Sequence, residues 1–162
     1  MAKGKVSPEL IEQFKQIVGE KYVYTDKEKL EPYAHDEVTD PHYMKEPQVV
    51  VLPATTEEVS KVVKLCYEND TVMVPRAAGT GLAAGAVATF GGVIISIERM
   101  NNIIEIDKDN MVCVTEPGVT TAVLQESVQK EGLFYGGDPC SGDSCFIGGN
   151  VATNAGGRSE EH

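Results

Sequence analysis

Two stretches of this chain carry residue types at spacings that suit chemistry. The first runs Pro75-Arg76-Ala77-Ala78-Gly79-Thr80-Gly81-Leu82-Ala83-Ala84-Gly85-Ala86, with three glycines within seven residues. Ordering glycine costs more backbone entropy than ordering any other residue, so this density marks a loop that turns sharply or is approached closely. The β-branched run Val72-Met73-Val74 leads in and Val93-Ile94-Ile95-Ser96-Ile97 leads out, giving strand, loop, strand. A dinucleotide fingerprint needs Gly-x-Gly-x-x-Gly opening a helix. Here Gly85 falls one residue too late after Gly79 and Gly81, and Gly91-Gly92 leaves no room for a helix. Glu98, about twenty residues on, stands where a ribose ligand would be sought in such a fold, and its spacing is read as coincidence. A Walker loop needs Gly-Lys-Ser/Thr, and the loop has no lysine. Two readings remain: a coil of successive N–H groups forming an anion-binding concavity without a helix dipole, or a glycine-rich surface turn.

The second stretch spans Gly136 to Gly157 and holds small or hydrogen-bonding side chains, among them Ser141, Ser144, Asn150, Thr153 and Asn154. More than twenty residues without a periodic pattern are uncommon in a compact domain unless something is held within them. Thirteen of the 16 glycines lie in Gly79–Gly92 or Gly132–Gly157, so they mark sites rather than average composition. A third tight turn is expected at Pro117-Gly118.

The elements that must position these tracts follow from periodicity. Ser7-Pro8 with Leu10, Ile11, Phe14, Ile17, Val18 and a terminal Gly19 predicts a capped amphipathic helix on the outside of the domain. A shorter helix is expected over Asp26–Ala34, then an irregular connection from Asp36 to Pro47. His35 and His42 sit there beside Asp36 and Asp40, but Pro41 breaks any shared helical face, so a structural or surface role is expected and no metal site. Val49-Val50-Val51-Leu52 reads as a strand covered on both faces. Thr55 and Glu58 form a capping box, and Val59, Val62, Val63 and Cys66 a buried stripe ending near Asn69. Strand Val72–Val74 completes a βαβ unit, with the usual right-handed crossover. Beyond the loop come strands at Val93–Ile97, Ile103–Ile106 and Met111–Val114, the last two joined by Asp107-Lys108-Asp109-Asn110. Thr120 or Thr121 caps a final helix with Val123, Leu124 and Val128 on its apolar side and Gly132 at its end. The mixture is α+β, not doubly wound.

The chain has 162 residues, 41% of them hydrophobic, enough for one folded domain with a real core. Its 14 Lys and Arg against 25 Asp and Glu give a net charge of −11, which repels nucleic acid and anionic membranes. A phosphate ligand must then be held by local dipoles, and apart from Arg76 at the loop's entrance neither glycine tract contains Lys or Arg. Cys66, Cys113, Cys140 and Cys145 match no Cys-x-x-Cys motif, and Cys66 and Cys113 read as small core residues. Met1–Pro8 is short and polar, so neither a signal peptide nor a membrane span is expected at the start, and a reducing cytoplasm is the default compartment.

Taken together, Pro-Arg-x-x-Gly-Thr-Gly-Leu at Pro75–Leu82, Glu-Pro-Gly-Val at Glu116–Val119, and Asp138-Pro139 with Ile-Gly-Gly-Asn-x-Ala-x-Asn-Ala-Gly-Gly up to Gly157 resemble the FAD-binding domain of the vanillyl-alcohol oxidase and p-cresol methylhydroxylase (PCMH) superfamily. Within it the chain looks most like the D-lactate dehydrogenase and glycolate oxidase subunit branch. Tyr33-Ala34-His35-Asp36 and Cys140-Ser141-Gly142-Asp143-Ser144-Cys145 are similar to lactate dehydrogenases that work with electron-transferring flavoproteins. The resemblance implies two small α/β subdomains with non-covalent FAD between them. It implies that Arg76, Ala77, Ala78, Gly79, Thr80, Gly81, Leu82, Gly85 and Ala86 wrap the pyrophosphate, that Gly118 lies close to the cofactor, and that Asp138, Pro139, Ser141, Ser144, Ile147, Gly148, Gly149 and Asn150 line the remainder, with Ala152, Thr153, Asn154 and Gly157 near it. Ile147 and Val151 would offer apolar surface to a planar ring. Neither histidine of the connection falls in a motif for covalent flavin attachment, and Cys140 and Cys145 read as packing rather than a redox pair.

The implied organisation is an N-terminal segment and connection over 1–47, an incomplete PCMH-type domain over 48–157, and an atypical tail over 158–162. The family's continuation into a substrate domain does not follow Gly157, so no catalytic base is assigned and a shortened FAD domain is expected. The implied activity is hydride abstraction from a small 2-hydroxy acid by flavin, with the hydroxy acid reaching the flavin through the absent domain and electron-transferring flavoprotein subunits as partners. A non-catalytic scaffold and an aldonolactone or alkyl-glycerone-phosphate flavoenzyme are the alternatives.

Overall fold

The computed structural model describes residues 5–157; the tail over 158–162 lies outside them. Contacts divide the chain into two compact units, Met1–Arg99 and Met100–His162.

The first unit is a four-stranded sheet with helices. Its elements are α1 (Pro8–Val18), β1 (Val23–Tyr24), α2 (Lys27–Leu30), β2 (Val49–Val51), α3 (Thr56–Glu68), β3 (Met73–Arg76) and β4 (Val93–Ser96). The strand order is β1-β2-β4-β3, with β1 antiparallel to β2 and the others parallel. Val49 pairs with Val93 and Val51 with Ile95, while Arg76 pairs with Ser96. Side chains alternate across a strand, and β2 is covered on both sides as its unbroken apolar run predicts. Val49 and Val51 join Leu10, Phe14 and Val18 of α1 and Val62 and Cys66 of α3 in one core cluster. Val50 and Leu52 join Leu30, Ala88 and Ile94 in another.

Local signals set the helix ends. Ser7 accepts from the Leu10 N–H, and Pro8 stands at the first helical position of α1. That helix packs with α3 over the sheet, so its apolar stripe is core. The Thr55 hydroxyl accepts from the Glu58 N–H at 3.1 Å, and the Glu58 carboxylate reaches back to the Ala54 N–H at 2.7 Å, one residue earlier than the usual reciprocal bond. The buried stripe of α3 narrows to Val62 and Cys66, with Val63 turned to solvent. The helix expected over Asp26–Ala34 is shorter: α2 stops at Leu30 and tightens into a 3₁₀ turn over Glu31–Tyr33, because Pro32 has no N–H to continue the α-helical ladder.

The second unit contains β5 (Ile103–Asp107), β6 (Val112–Thr115), α4 (Thr121–Lys130) and α5 (Ile147–Thr153). The two strands form an antiparallel hairpin whose turn is fastened by the Asp107 carboxylate, which accepts from the Asn110 N–H and side-chain amide. Val119, Leu124, Val128 and Ile147 make the core; Val123 points to solvent. Thr120 occupies the N-cap position of α4 without a side-chain cap bond. The stretch from Gly136 to Gly157, expected to lack regular structure, contains α5. Two adjacent glycines hide this helix from propensity. Its first turn is fixed instead by Ile147 N–H donating to Val119 O and Gly148 N–H to Pro117 O, at 2.9 and 2.8 Å.

Candidate cofactor-binding site

In the first unit the parallel strands β2, β4 and β3 send their carboxyl ends the same way, and the glycine loop leaves the end of β3. Ligands of open α/β sheets bind outside the carboxyl ends of such strands. Two glycines shape the loop's course. Gly79 has φ +74°, and Gly92 has φ +94° with so little room that a Cβ there would lie 2.2 Å from Val72 O, so only glycine fits where the chain returns beside the start of β3. Ala84 adopts φ +54°, an unusual conformation for a residue with a side chain.

Among the described residues, no backbone N–H from Ala77 to Ala86 donates to a protein acceptor. Ten consecutive amides are therefore free for a ligand or water. Backbone N–H groups are obligatory donors, and successive ones in a turning coil form an anion-binding concavity. Ala77, Ala78, Gly79, Thr80, Ala84 and Ala86 are half-buried, while Gly81, Leu82 and Gly85 are exposed. A Cβ at Gly81 or Gly85 would meet nothing within 4 Å, so the loop's backbone is approachable there. The residues present fit a diphosphate held by main-chain dipoles.

Beneath the loop lies a polar cluster. Arg76 is 7% exposed; its Nη1 donates to Ala86 O at 3.1 Å and its Nη2 to Pro32 O at 3.2 Å. Its guanidinium lies 5.5 Å from the centre of the Tyr33 ring. The Tyr33 hydroxyl donates to the Glu98 carboxylate, both oxygens at 3.1 Å, and Ser96 Oγ donates to the same group at 3.1 Å. Burial, with the Glu98 charge beside it, pushes the Tyr33 phenol well above its ordinary pKa. Burial pulls the Arg76 pKa down, and the charge of Asp36 opposes it. Asp36 is itself buried; one carboxylate oxygen accepts from the Val38 N–H, and the other has no partner among the described residues. The Glu37 N–H donates to Gly81 O at 3.1 Å, tying the loop to this connection.

In the second unit Gly118 is buried and donates to Met100 O at 2.7 Å. Thr121 carries a network: its hydroxyl donates to Cys145 O at 3.3 Å and accepts from the Asn150 side-chain amide at 2.7 Å. Gln125 donates to Gly137 O at 3.0 Å. Together these bonds fold the segment before α5 onto α4.

Residues 47–162 match the family described as FAD binding domain. The chain belongs to this family. It is 45% identical over 155 residues to a D-lactate dehydrogenase of Anaerostipes hadrus, covering 95% of this chain and 32% of that protein. To a D-2-hydroxyglutarate dehydrogenase of Stutzerimonas stutzeri it is 38% identical over 150 residues, covering 93% of this chain and 32% of the relative. A solved p-cresol methylhydroxylase, with substrate bound, superposes with a TM-score of 0.68 at 27% identity over 77% of this chain and 25% of its own. The fold is the PCMH type, FAD is the family's cofactor, and the chain spans about a third of the length of the relatives it matches.

Within this FAD-binding domain the expected site residues fall into two sets. The first unit brings Arg76, Ala77, Ala78, Gly79, Thr80, Gly81, Leu82, Gly85 and Ala86 together in one loop, with Arg76 alone buried beneath it. In the second unit Pro139 and Ile147 are buried, Ser141, Gly148, Gly149, Asn150 and Gly157 half-buried, and Asp138, Ser144, Ala152, Thr153 and Asn154 exposed. The Ile147 side chain belongs to the unit's core, whereas Val151 is 76% exposed. A Cβ added at Gly157 would come within 2.2 Å of Asp138 O, so the two ends of the tract touch. Sequence reasoning did not find the Tyr33, Asp36, Ser96 and Glu98 cluster. Its linear signals were separate ones: Tyr33 and Asp36 lay in the Tyr33-Ala34-His35-Asp36 motif, and Glu98 stood at a spacing from the loop that had a different apparent meaning. Among the described residues no helix is long and apolar enough to cross a membrane.

Proposed function

We propose that this domain is the FAD-binding portion of a flavin-dependent 2-hydroxy-acid dehydrogenase. The observation that carries the proposal is the row of ten unpaired amides from Ala77 to Ala86 at the carboxyl ends of parallel strands. These donors bind and orient the pyrophosphate, while Gly81 and Gly85 allow it close to the main chain. In this reading Gly118, Asp138, Pro139, Ser141, Ser144, Ile147, Gly148, Gly149, Asn150, Ala152, Thr153, Asn154 and Gly157 serve the rest of the cofactor, which is held without a covalent bond. When bound, FAD supplies a two-electron acceptor for the carbinol C–H of a hydroxy acid. The names of the two relatives, a D-lactate and a D-2-hydroxyglutarate dehydrogenase, support that substrate class. The proton-abstracting group and the substrate's own binding residues are not assigned to this chain. An electron-transferring flavoprotein as redox partner and a cytoplasmic location complete the reading.

Titration of the purified 162-residue chain with FAD tests it, followed by flavin fluorescence and by competition with ADP. Saturable binding displaced by ADP is expected, since both carry the diphosphate. A chain that folds and leaves FAD fluorescence unchanged would reduce the reading to a non-catalytic scaffold. In a longer protein carrying this domain, bleaching of the flavin absorbance by D-lactate, glycolate or D-2-hydroxyglutarate tests the substrate class, and bleaching by none of them refutes it.

A further inference from the structure

We propose that Arg76 is the positioning residue of the amide loop: it holds the loop from beneath in the shape that receives a diphosphate and does not itself touch the anion. This inference rests on the reading of the loop as the pyrophosphate site.

The guanidinium occupies the space beside Gly79. A Cβ built on that glycine lies 2.3 Å from Arg76 Nη2 and 2.7 Å from its Cζ. The loop's glycines thus divide by purpose: Gly79 makes room for the arginine, whereas Gly81 and Gly85 face open space. Arg76 ends β3, and its Nη1 donates to Ala86 O, ten residues on. One side chain therefore clamps both ends of the amide row. Its Nη2 donates to Pro32 O, fastening the row to the Glu31–Tyr33 turn, which the Tyr33 hydroxyl in turn fixes to Glu98 at the end of β4.

The charge of Arg76 is answered locally. Arg76 as a residue is 7% exposed, and its guanidinium lies over the Tyr33 ring with the carboxylates of Asp36 and Glu98 in its field. A buried charge compensated in this way is held in place by its neighbours. Arginine suits the task because its planar fork presents several donors in fixed directions, so one group satisfies two carbonyls facing different ways. A lysine ammonium on a flexible stem has no such geometry. Fixing a loop in its bound conformation raises affinity by removing the ordering cost at the moment of binding.

The test uses the full chain as wild type, Arg76→Lys and Arg76→Met. Backbone ¹⁵N order parameters of residues 77–86 are measured without ligand, and FAD and ADP are titrated at several salt concentrations. In the wild type the loop amides are expected near the rigid value of about 0.85, and in both variants below about 0.6. Amides of β2 and β4 should stay unchanged. FAD affinity should fall about tenfold or more in both variants, since preorganisation is lost whether or not the charge is kept. The salt dependence of binding should keep its wild-type slope, because no phosphate contact is removed. Gly79→Ala strikes the same contact from the loop side, and its effect on loop order should be smaller in the Arg76→Met background than in the wild type. Unchanged loop order in both arginine variants overturns the proposal. So does a lysine variant that retains affinity beside a methionine variant with a flattened salt slope, which is the signature of a direct phosphate contact. A wild-type loop whose order depends on Arg76, in a chain that binds neither FAD nor ADP, supports the clamp and refutes the proposed function.

Discussion

Gly81→Ala separates what the loop does for stability from what it does for a ligand. A Cβ at Gly81 meets no atom within 4 Å, and its φ lies outside the left-handed region. The methyl group therefore strains nothing in the free protein. Replacing glycine by alanine at a compatible position reduces unfolded-state entropy and stabilises by about 0.4–1 kcal/mol, which for a chain of this size raises Tm by roughly 1–4 °C. The same methyl stands where a phosphate would approach the main chain. A hydrogen bond to a charged group contributes about 1.5–3 kcal/mol, so losing one weakens FAD binding by about 10–150-fold. Calorimetric melting without ligand and fluorescence titration with FAD measure the two effects on one sample. A variant that is as stable as the wild type or more so, and binds FAD less tightly, is expected. A variant that binds FAD as tightly as the wild type would refute the view that the backbone at Gly81 faces the anion, and one that loses stability would refute the open space around it.

Gly92→Ala should behave in the opposite way. Its Cβ would lie 2.2 Å from Val72 O at φ +94°, so thermal melting should show a loss of about 2 kcal/mol or more from strain and displaced backbone. Thr121→Val removes the hydroxyl that pairs with the Asn150 amide and Cys145 O; urea unfolding should report about 1–3 kcal/mol lost, largely restored by Thr121→Ser. Burial pushes the Cys66 thiol from 9.0 up to about 11. Its folded pKa is the higher one, so the contribution is fully present below about pH 9 and is lost as pH rises towards 11. Stability should fall through that window, and Cys66→Ala should remove that part of the slope. At about pH 8 a thiol reagent should modify exposed Cys140 well before Cys66 in the native protein.

Much of the architecture was legible in the sequence because local chemistry and global fold agree there. Ser7-Pro8 and Thr55 with Glu58 are caps whose bonds form between near neighbours, and the run from Val49 to Leu52 admits no surface strand. The helix over Ile147–Thr153 was not legible. Its two glycines argue against a helix, and the bonds that fix its start come from Pro117 and Val119, about thirty residues earlier. Likewise the apolar stripes of α3 and α4 include Val63 and Val123 by spacing, but only packing decides which edge of a stripe meets the core.

For the site, residue types and order alone determined that Ala77–Ala86 is a glycine-rich coil between strands, without the lysine or helix of the familiar phosphate loops. That conclusion needs only what each residue permits its own backbone to do. The role of Arg76 was decided by tertiary structure. An arginine beside a glycine loop reads equally well as a phosphate ligand or as a support, and the choice depends on Pro32, Tyr33, Asp36 and Glu98. These residues lie far from it along the chain, and only folding brings their carbonyl, ring and carboxylates to its guanidinium.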